Sequence, residues 1–260
     1  MTTNATVNYH LRTEAKQAFH FDVDGINGNL VSPELVPTDI LVRDLRKDGL
    51  SVEFDRDGIV FTHAPSRIKD FDDGPDWQAR YEAELCDLLT EQVGAEEVIV
   101  FDHTVRIDDL DATRKPARNV HTDYSRAGAE QRLIDIVGAD RARDFHNSGF
   151  GFVNVWRPIE HVITTSPLGF IRPATIEADD WMTIDLIYPD RRGEILGVAA
   201  NPDHEWFYLS RMTPDEVVIF NIFDNERRPC VAHSALDTEV DSDCRSRRKS
   251  IESRTLVRYI

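Results

Sequence analysis

Three residues of this 260-residue chain have the types and spacing to do metal chemistry: His121 and Asp123 in "RNVHTDYS", and His233 in "PCVAHSALD". On an extended strand, residues two apart point the same way. A His and a carboxylate so placed, joined by a second His from a neighbouring strand, cap one face of a metal ion and leave the opposite positions open. That is the 2-His-1-carboxylate arrangement of non-haem iron(II) oxygenases. His-x-Asp also occurs as His20-Phe21-Asp22, so the pair alone decides little. Context favours the later copy. His233 follows "TPDEVVIFNIFDN", which reads as a turn, a buried strand and a second turn that returns the chain beside His121 and Asp123. His20 lies ahead of the main helix and away from the strand series.

The last strand adds a second function. In "SRRKSIESRTLVRYI", Arg248, Ser250, Glu252 and Arg254 share one face at period two. An Arg with a hydroxyl two residues on binds a carboxylate by a charge-assisted pair and one further hydrogen bond. The competing reading is a solvated edge strand. Placed after a candidate ligand His, the carboxylate clamp is preferred. Asn154 and Trp156 alternate on another strand face; Trp156 reads as core, and Asn154 as a buried amide that must be satisfied and can serve a ligand. Arg157 points the other way, toward an acid partner or a substrate. Tyr124 is either a pocket wall or an ordinary packing residue. Cys230 reads as a buried apolar residue, and His103, His161 and His204 have no ligand spacing. "DVDGINGN" is not a calcium loop, because Ile26 stands at its third ligand position.

The elements that must position these groups are mostly strands. Apolar alternation about Asp57-Gly58 in "SVEFDRDGIVFTHAP" predicts a hairpin. "DWQARYEAELCDLLTEQVG" predicts a helix with Trp77, Tyr81, Leu85, Leu88, Leu89 and Val93 on one face, capped by Asp76 and ended by Gly94. A strand follows in 96–107, then an exposed loop in 108–118 and a short helix in 128–138. From about residue 150 the pattern becomes serial: strands in 151–159, 161–171, 194–200, 205–212, 215–223, 229–236 and 251–260. Short strands with turn signals between them suggest a sandwich or barrel, with the N-terminal helix bracing one sheet.

Bulk properties exclude several classes. Asp plus Glu outnumber Lys plus Arg, 47 to 30, for a formal charge of −17, which repels phosphate backbones and anionic membranes. No nucleic-acid partner is expected. No run of about 18 apolar residues is present, so no membrane partner is expected either. Three cysteines, Cys86, Cys230 and Cys244, without Cys-x-x-Cys spacing suit a reducing cytoplasm. The N-terminal residues have no apolar signal-peptide core, which leaves the Asn4-Ala5-Thr6 sequon without consequence.

Several ordered motifs then converge. "RNVHTDYS", "NVWRPI", "SPLGF", "NPDHEWFYLSRMTPDEVVIF", "AHSALD" and "RKSIESRTLV" resemble the family of the cephamycin methoxylation component CmcJ and the fungal hydroxylase/desaturase AsaB, from about residue 97 to the C-terminus. The resemblance implies a mainly β fold with flanking helices around a double-stranded β-helix (jelly-roll, cupin-like) core. It implies Fe(II) on His121, Asp123 and His233, 2-oxoglutarate on Arg248, Ser250 and Arg254, and a small-molecule substrate oxidised with O2. Hydroxylation, desaturation and cyclisation are all compatible with it, as is a homo-oligomer. The chain reads as one domain, with residues 1–95 as a hairpin-and-helix elaboration and 96–260 as the core. It departs from the family in "DTEVDSDCRSR", more charged than the expected Pro-rich loop, and in its loosely matching first ninety residues. Two rival readings are a zinc hydrolase on the same scaffold, which has no use for the Arg248 clamp, and a non-catalytic accessory subunit, which has no use for a complete ligand set.

Overall fold

The computed structural model describes residues 2–26, 28–71, 76–226, 228–238 and 247–259, with the side chain of Asp76 also outside that set. In chain order the elements are β1 (Thr2–His10), β2 (Gln17–Phe21), β3 (Leu30–Val31), β4 (Leu35–Asp44), α1 (Leu45–Asp48), α2 (Phe54–Asp57), β5 (Ile59–His63), α3 (Asp76–Val93) and β6 (Glu97–Ile107). There follow β7 (His121–Thr122), α4 (Arg126–Val137), α5 (Ala139–Ser148), β8 (Phe150–Pro158), β9 (Leu168–Ile171), β10 (Trp181–Ile187) and β11 (Arg192–Val198). The last are β12 (Trp206–Tyr208), β13 (Glu216–Asp224), β14 (His233–Ala235), β15 (Asp237–Thr238) and β16 (Lys249–Arg258). Among the described residues they form an 11-stranded sheet, β15-β1-β4-β12-β9-β14-β7-β11-β10-β2-β3, and a 5-stranded sheet, β5-β13-β8-β16-β6. The two sheets face each other as the expected double-stranded β-helix.

Strand β8 shows how the sequence builds the layers. All nine of its residues are buried, because both faces are covered. Phe152 and Trp156 face inward and pack with Phe170, Phe207 and Phe220 in the core between the sheets. Val153 and Val155 face outward and pack under Tyr81, Leu85 and Leu89 of α3. The apolar stripe of α3 therefore covers the small sheet, as its spacing predicts. Gly94 ends this helix at φ +69, and the expected Asp76 cap lies outside the described side chains.

The N-terminal strands back the other sheet. Val7, Tyr9 and Val42 cluster with Val120, Ile171, Val198 and Ala232. Each of these last four precedes or follows a residue of the inner face, namely His121, Phe170, Gly197 and His233. Period-two alternation turns one set outward onto β1 and β4 and the other inward. The first 44 residues thus contribute four strands, ahead of the expected hairpin in 51–65 and helix in 76–94.

The hairpin about Asp57-Gly58 does not form. Asp57 Oδ2 accepts from Glu53 N at 2.9 Å, which closes Phe54–Asp57 into one helical turn instead of a strand. Only Ile59–His63 is extended, and it pairs with β13. The expected strands at 161–171, 205–212 and 229–236 shrink to Leu168–Ile171, Trp206–Tyr208 and His233–Ala235, while α5 and β10 are additional.

Gly58 has φ +70, and a Cβ there would lie 2.2 Å from the Pro229 carbonyl oxygen. Gly94 has almost the same φ, +69, with nothing within 4 Å of a Cβ. Gly94→Ala should therefore cost only the left-handed penalty of about 1–2 kcal/mol. Gly58→Ala adds a backbone collision on the segment leading to His233 and should cost more than about 2 kcal/mol. Urea unfolding midpoints of the two variants measure the difference.

Candidate metal centre

The large sheet sets three residues in one row. His121 of β7 pairs with Gly197 of β11 on one side and with His233 of β14 on the other. Residues directly opposed across strands share a face, so both imidazoles project inward. Their ring centroids lie 4.5 Å apart. Asp123, just past β7, completes the group: its Oδ1 is 3.4 Å from His121 Nε2 and 3.9 Å from His233 Nε2. One donor atom from each residue lies within 4.8 Å of the others.

The small sheet supplies the facing wall. Arg254 of β16 pairs with Asn154 of β8 and with Asp102 of β6. Asp123 Oδ2 accepts from Asn154 Nδ2 at 3.1 Å and from Arg254 Nε at 2.8 Å. These bonds turn the other oxygen, Oδ1, toward the histidines. Burial alone would raise the Asp123 carboxyl, but Arg254 and then the two imidazoles outweigh it and hold it well below the usual carboxylate range.

The donor set fits a divalent cation. His121 Nδ1 contacts the Asn119 carbonyl at 2.8 Å, and His233 Nδ1 contacts the Val231 carbonyl at 3.3 Å. A carbonyl only accepts, so each Nδ1 carries the proton and each Nε2 keeps its lone pair for a metal. Burial, and next His121, push His233 down to about 4, so its ring is neutral at physiological pH. Two imidazoles and one carboxylate on one side are the donors of a facial triad. Asn154 is fully buried and its Oδ1 has no partner, an acceptor left free at the same centre.

Beside the triad is a small cavity lined by Arg106, His121, His233, Arg248, Glu252 and Arg254, with Ala117 and Leu168 completing it. The two arginines expected to take a carboxylate differ in their commitments. Arg254 is occupied: it donates to Asp123, to Asp102 Oδ2 at 2.6 Å and to Thr104 Oγ1 at 3.3 Å, and pairs with Glu252 Oε1 at 2.6 Å. Among the described residues Arg248 has no carboxylate partner. It donates Nε to Ser250 Oγ at 3.3 Å, donates to the Ser166 carbonyl, and lies over the Trp156 ring. Burial, then the neighbouring Arg106, pull Arg248 down to about 9. A buried cation held at that cost is stabilised by an arriving anion.

Tyr124 and Arg157 fall outside this cavity. Tyr124 packs on Phe152 at 4.8 Å, next to Asp123 in the chain, and burial raises its hydroxyl to about 12. Arg157 is on the outer face of β8; it donates to the Ala64 carbonyl at 3.0 Å and lies over the Tyr81 ring of α3. Among the described residues the alternative His20-Phe21-Asp22 forms no ligand cluster: His20 is exposed, and Asp22 Oδ1 accepts from Gly28 N at 2.7 Å. Sequence reasoning missed Arg106. Its signal was available, since Arg106 is the residue opposite Ser250 once β6 and β16 are paired.

Comparison with known proteins places this chain in a family. The family described as "Oxidoreductase/YMDC permease-like domain" matches residues 7–258. The chain belongs to this oxidoreductase family. Among curated relatives, the hydroxylase/desaturase efuI of Hormonema carpetanum is 32% identical over 249 residues, covering 84% of this chain and 82% of the relative. The Fe(II)/2-oxoglutarate-dependent dioxygenase nvfI of Aspergillus novofumigatus is 27% identical over 232 residues, covering 85% and 83%. In fold, a solved structure of the iron and alpha-ketoglutarate-dependent endoperoxidase NvfI superposes with a TM-score of 0.88 at 23% identity, over 99% of this chain and 98% of that one. Like these family members the chain has a jelly-roll core. Among its described residues no helix is long and apolar enough to cross a membrane.

Proposed function

We propose that this oxidoreductase uses Fe(II) and 2-oxoglutarate to oxidise a C–H bond of a small molecule, by hydroxylation, desaturation or ring formation. The observation that carries the reading is the convergence of His121, Asp123 and His233 beside a cavity that holds an arginine without a carboxylate partner among the described residues. Iron(II) with 2-oxoglutarate and O2 supplies an oxidant able to take hydrogen from a C–H bond, with succinate and CO2 released. The chain's own part is geometry. His121, Asp123 and His233 hold the metal; Asn154 and Arg254 orient the carboxylate ligand. Arg248 and Ser250 take the far carboxylate of 2-oxoglutarate, with Arg106 adding positive charge and Trp156 backing the guanidinium. Tyr124 forms a wall beside Asp123, and Arg157 is assigned to packing under α3. A hydrolase has no use for a carboxylate clamp, so the clamp favours redox chemistry over zinc-activated water.

All 260 residues are read as one oxygenase domain, with 96–260 as its core and 1–95 as the elaboration. Supporting this, β1 and β4 pair with each other, with β15 and with β12. The free thiols of Cys86 and Cys230 support a cytoplasmic location; Cys244 lies outside the described residues.

The purified chain, given Fe(II), 2-oxoglutarate and air, should form succinate, and a panel of amino acids and natural-product intermediates should contain compounds that stimulate it. No succinate above the zinc-loaded control would sink the reading. Arg248→Lys keeps the charge but loses the planar fork. It should raise KM for 2-oxoglutarate about 10- to 100-fold, from the roughly 1.5–3 kcal/mol of a hydrogen bond to a charged group, and leave Fe(II) affinity unchanged. Steady-state kinetics and metal titration separate the two quantities.

A further inference from the structure

The oxygenase reading leaves one buried group at the centre unexplained. His10 ends β1, is 1% exposed, and among the described residues has no hydrogen-bond partner on either ring nitrogen. Burying a polar group without a partner is unfavourable, and natural structures rarely leave one so.

Its position is set by Gly197. A Cβ on Gly197 would point to the same inner face as its pairing partner His121. That Cβ would lie 2.5 Å from His10 Cδ2. The His10 ring therefore fills the side-chain place of Gly197. The inner row runs Phe170, His233, His121, His10 ring, with His10 on the flank of His121 opposite His233. A neutral imidazole there offers one N–H donor and one lone pair.

The strand end that carries it is firmly held. Trp206 Nε1 donates to the Tyr9 hydroxyl at 2.8 Å, that hydroxyl bonds His204 Nδ1 at 2.9 Å, and His204 Nε2 reaches Asp180 Oδ2 at 3.1 Å. This network satisfies Tyr9 and leaves its neighbour unpaired. Apolar side chains also meet the ring. Phe19 meets the ring edge-on at 6.0 Å, and Ile184 and Ile195 cluster with Phe19. Gln17 lies near the ring but outside hydrogen-bond geometry: its Nε2 donates to the Leu11 carbonyl at 2.6 Å and its Oε1 is also without a partner.

The geometry points to His10, with Gln17 beside it, as the polar contact for the substrate: a hydroxyl or carbonyl oxygen on an otherwise apolar small molecule, held next to the metal donors. This rests on the reading of His121 as a metal ligand and narrows the substrate class of the same site. His10 acts by positioning and takes no part in metal binding.

The test uses the full chain loaded with zinc(II), which accepts the same nitrogen and oxygen donors and does not turn over. Three probes of similar size, cyclohexanol, cyclohexanone and cyclohexane, are titrated and followed through the imidazole nitrogen resonances of His10. The two oxygenated probes should shift those resonances and bind about tenfold more tightly than the hydrocarbon, the worth of one good hydrogen bond. His10→Phe should fold with an unfolding temperature at or above that of the parent, since it removes an unpaired buried polar group, and should bind the three probes alike. His10→Gln should recover part of the preference. The proposal is overturned if the parent shows no preference or binds no probe, if the preference survives in His10→Phe, or if His10→Phe fails to fold. The experiment needs no 2-oxoglutarate turnover, so its result is separate from that of the succinate assay.

Discussion

Asp123→Asn is expected to leave the fold intact and to remove metal-dependent turnover. The substitution preserves shape but replaces one oxygen by an NH2 group. Oδ2 now accepts from Asn154 and Arg254, while Oδ1 faces His121 Nε2 and His233 Nε2. If the amide keeps its oxygen toward Arg254, its NH2 faces the metal, and an NH2 group has no lone pair to give. If it turns over, the oxygen meets the metal but NH2 confronts two donors in a buried site, leaving Arg254 short of an acceptor. Either choice loses an anionic ligand to a divalent ion. Removing a residue that only orients a ligand costs about 10- to 100-fold in affinity or activity; removing the ligand itself should cost more. Calorimetric Fe(II) titration and succinate formation measure the loss, with circular dichroism as the check on folding. An Asp123→Asn chain that binds Fe(II) as the parent does would remove Asp123 from the ligand set.

Much of this centre was legible in the sequence because its signals are local in period and few in number. His121 and Asp123 share a face only on extended chain, and "NVHTDYS" lacks the spacing of a helix. Arg248 and Ser250 follow the same rule on β16, where Arg254 pairs with Asn154 and brings both to Asp123. What stayed hidden depends on partners distant in the chain. Whether Arg248 or Arg254 is free for a cosubstrate is decided by Asp102 and Glu252, which claim Arg254. The face of Arg157 follows from strand alternation, but its burial requires α3 to lie over β8. Ala5, Val7 and Tyr9 alternate as a strand should, yet nothing local shows that the next residue reaches Gly197 inside the barrel. The failed hairpin has a different cause. Asp57-Gly58 does turn the chain, but the bond from Glu53 N to the Asp57 side chain is available within five residues and outcompetes a strand ladder.

The second large effect concerns stability as well as activity. Arg254→Met should destabilise the metal-free protein by about 3–5 kcal/mol, the usual cost of stripping one partner from a buried ionic group. For a chain of this size that lowers the unfolding temperature by roughly 6–20 °C. One guanidinium now serves three carboxylates: Asp123 and Glu252, both largely buried, and the more exposed Asp102. Burial opposes its charge, but Glu252 and then Asp123 outweigh that and hold Arg254 well above its ordinary value. Without it, two buried carboxylates lose their shared ion-pair partner, and only Arg106 and Arg248 across the cavity remain to offset them. The Asp123 carboxyl rises, so the folded variant takes up a proton before the unfolded chain does, and lower pH favours it. In the parent, Asp123 is depressed, so its contribution is present above the ordinary carboxyl value and is lost as pH falls through the depressed one. The gap between parent and variant should therefore narrow on acidification. Fe(II) should restore part of the loss at neutral pH, because it neutralises Asp123 and binds only the folded chain. It should not restore all of it, since Glu252 remains unpaired. Thermal unfolding of both proteins across pH, with and without Fe(II), gives all of these quantities. Equal unfolding temperatures at neutral pH would mean that the arginine contributes nothing to holding Asp123, and the assignment of Arg254 as its orienting partner would fail with it.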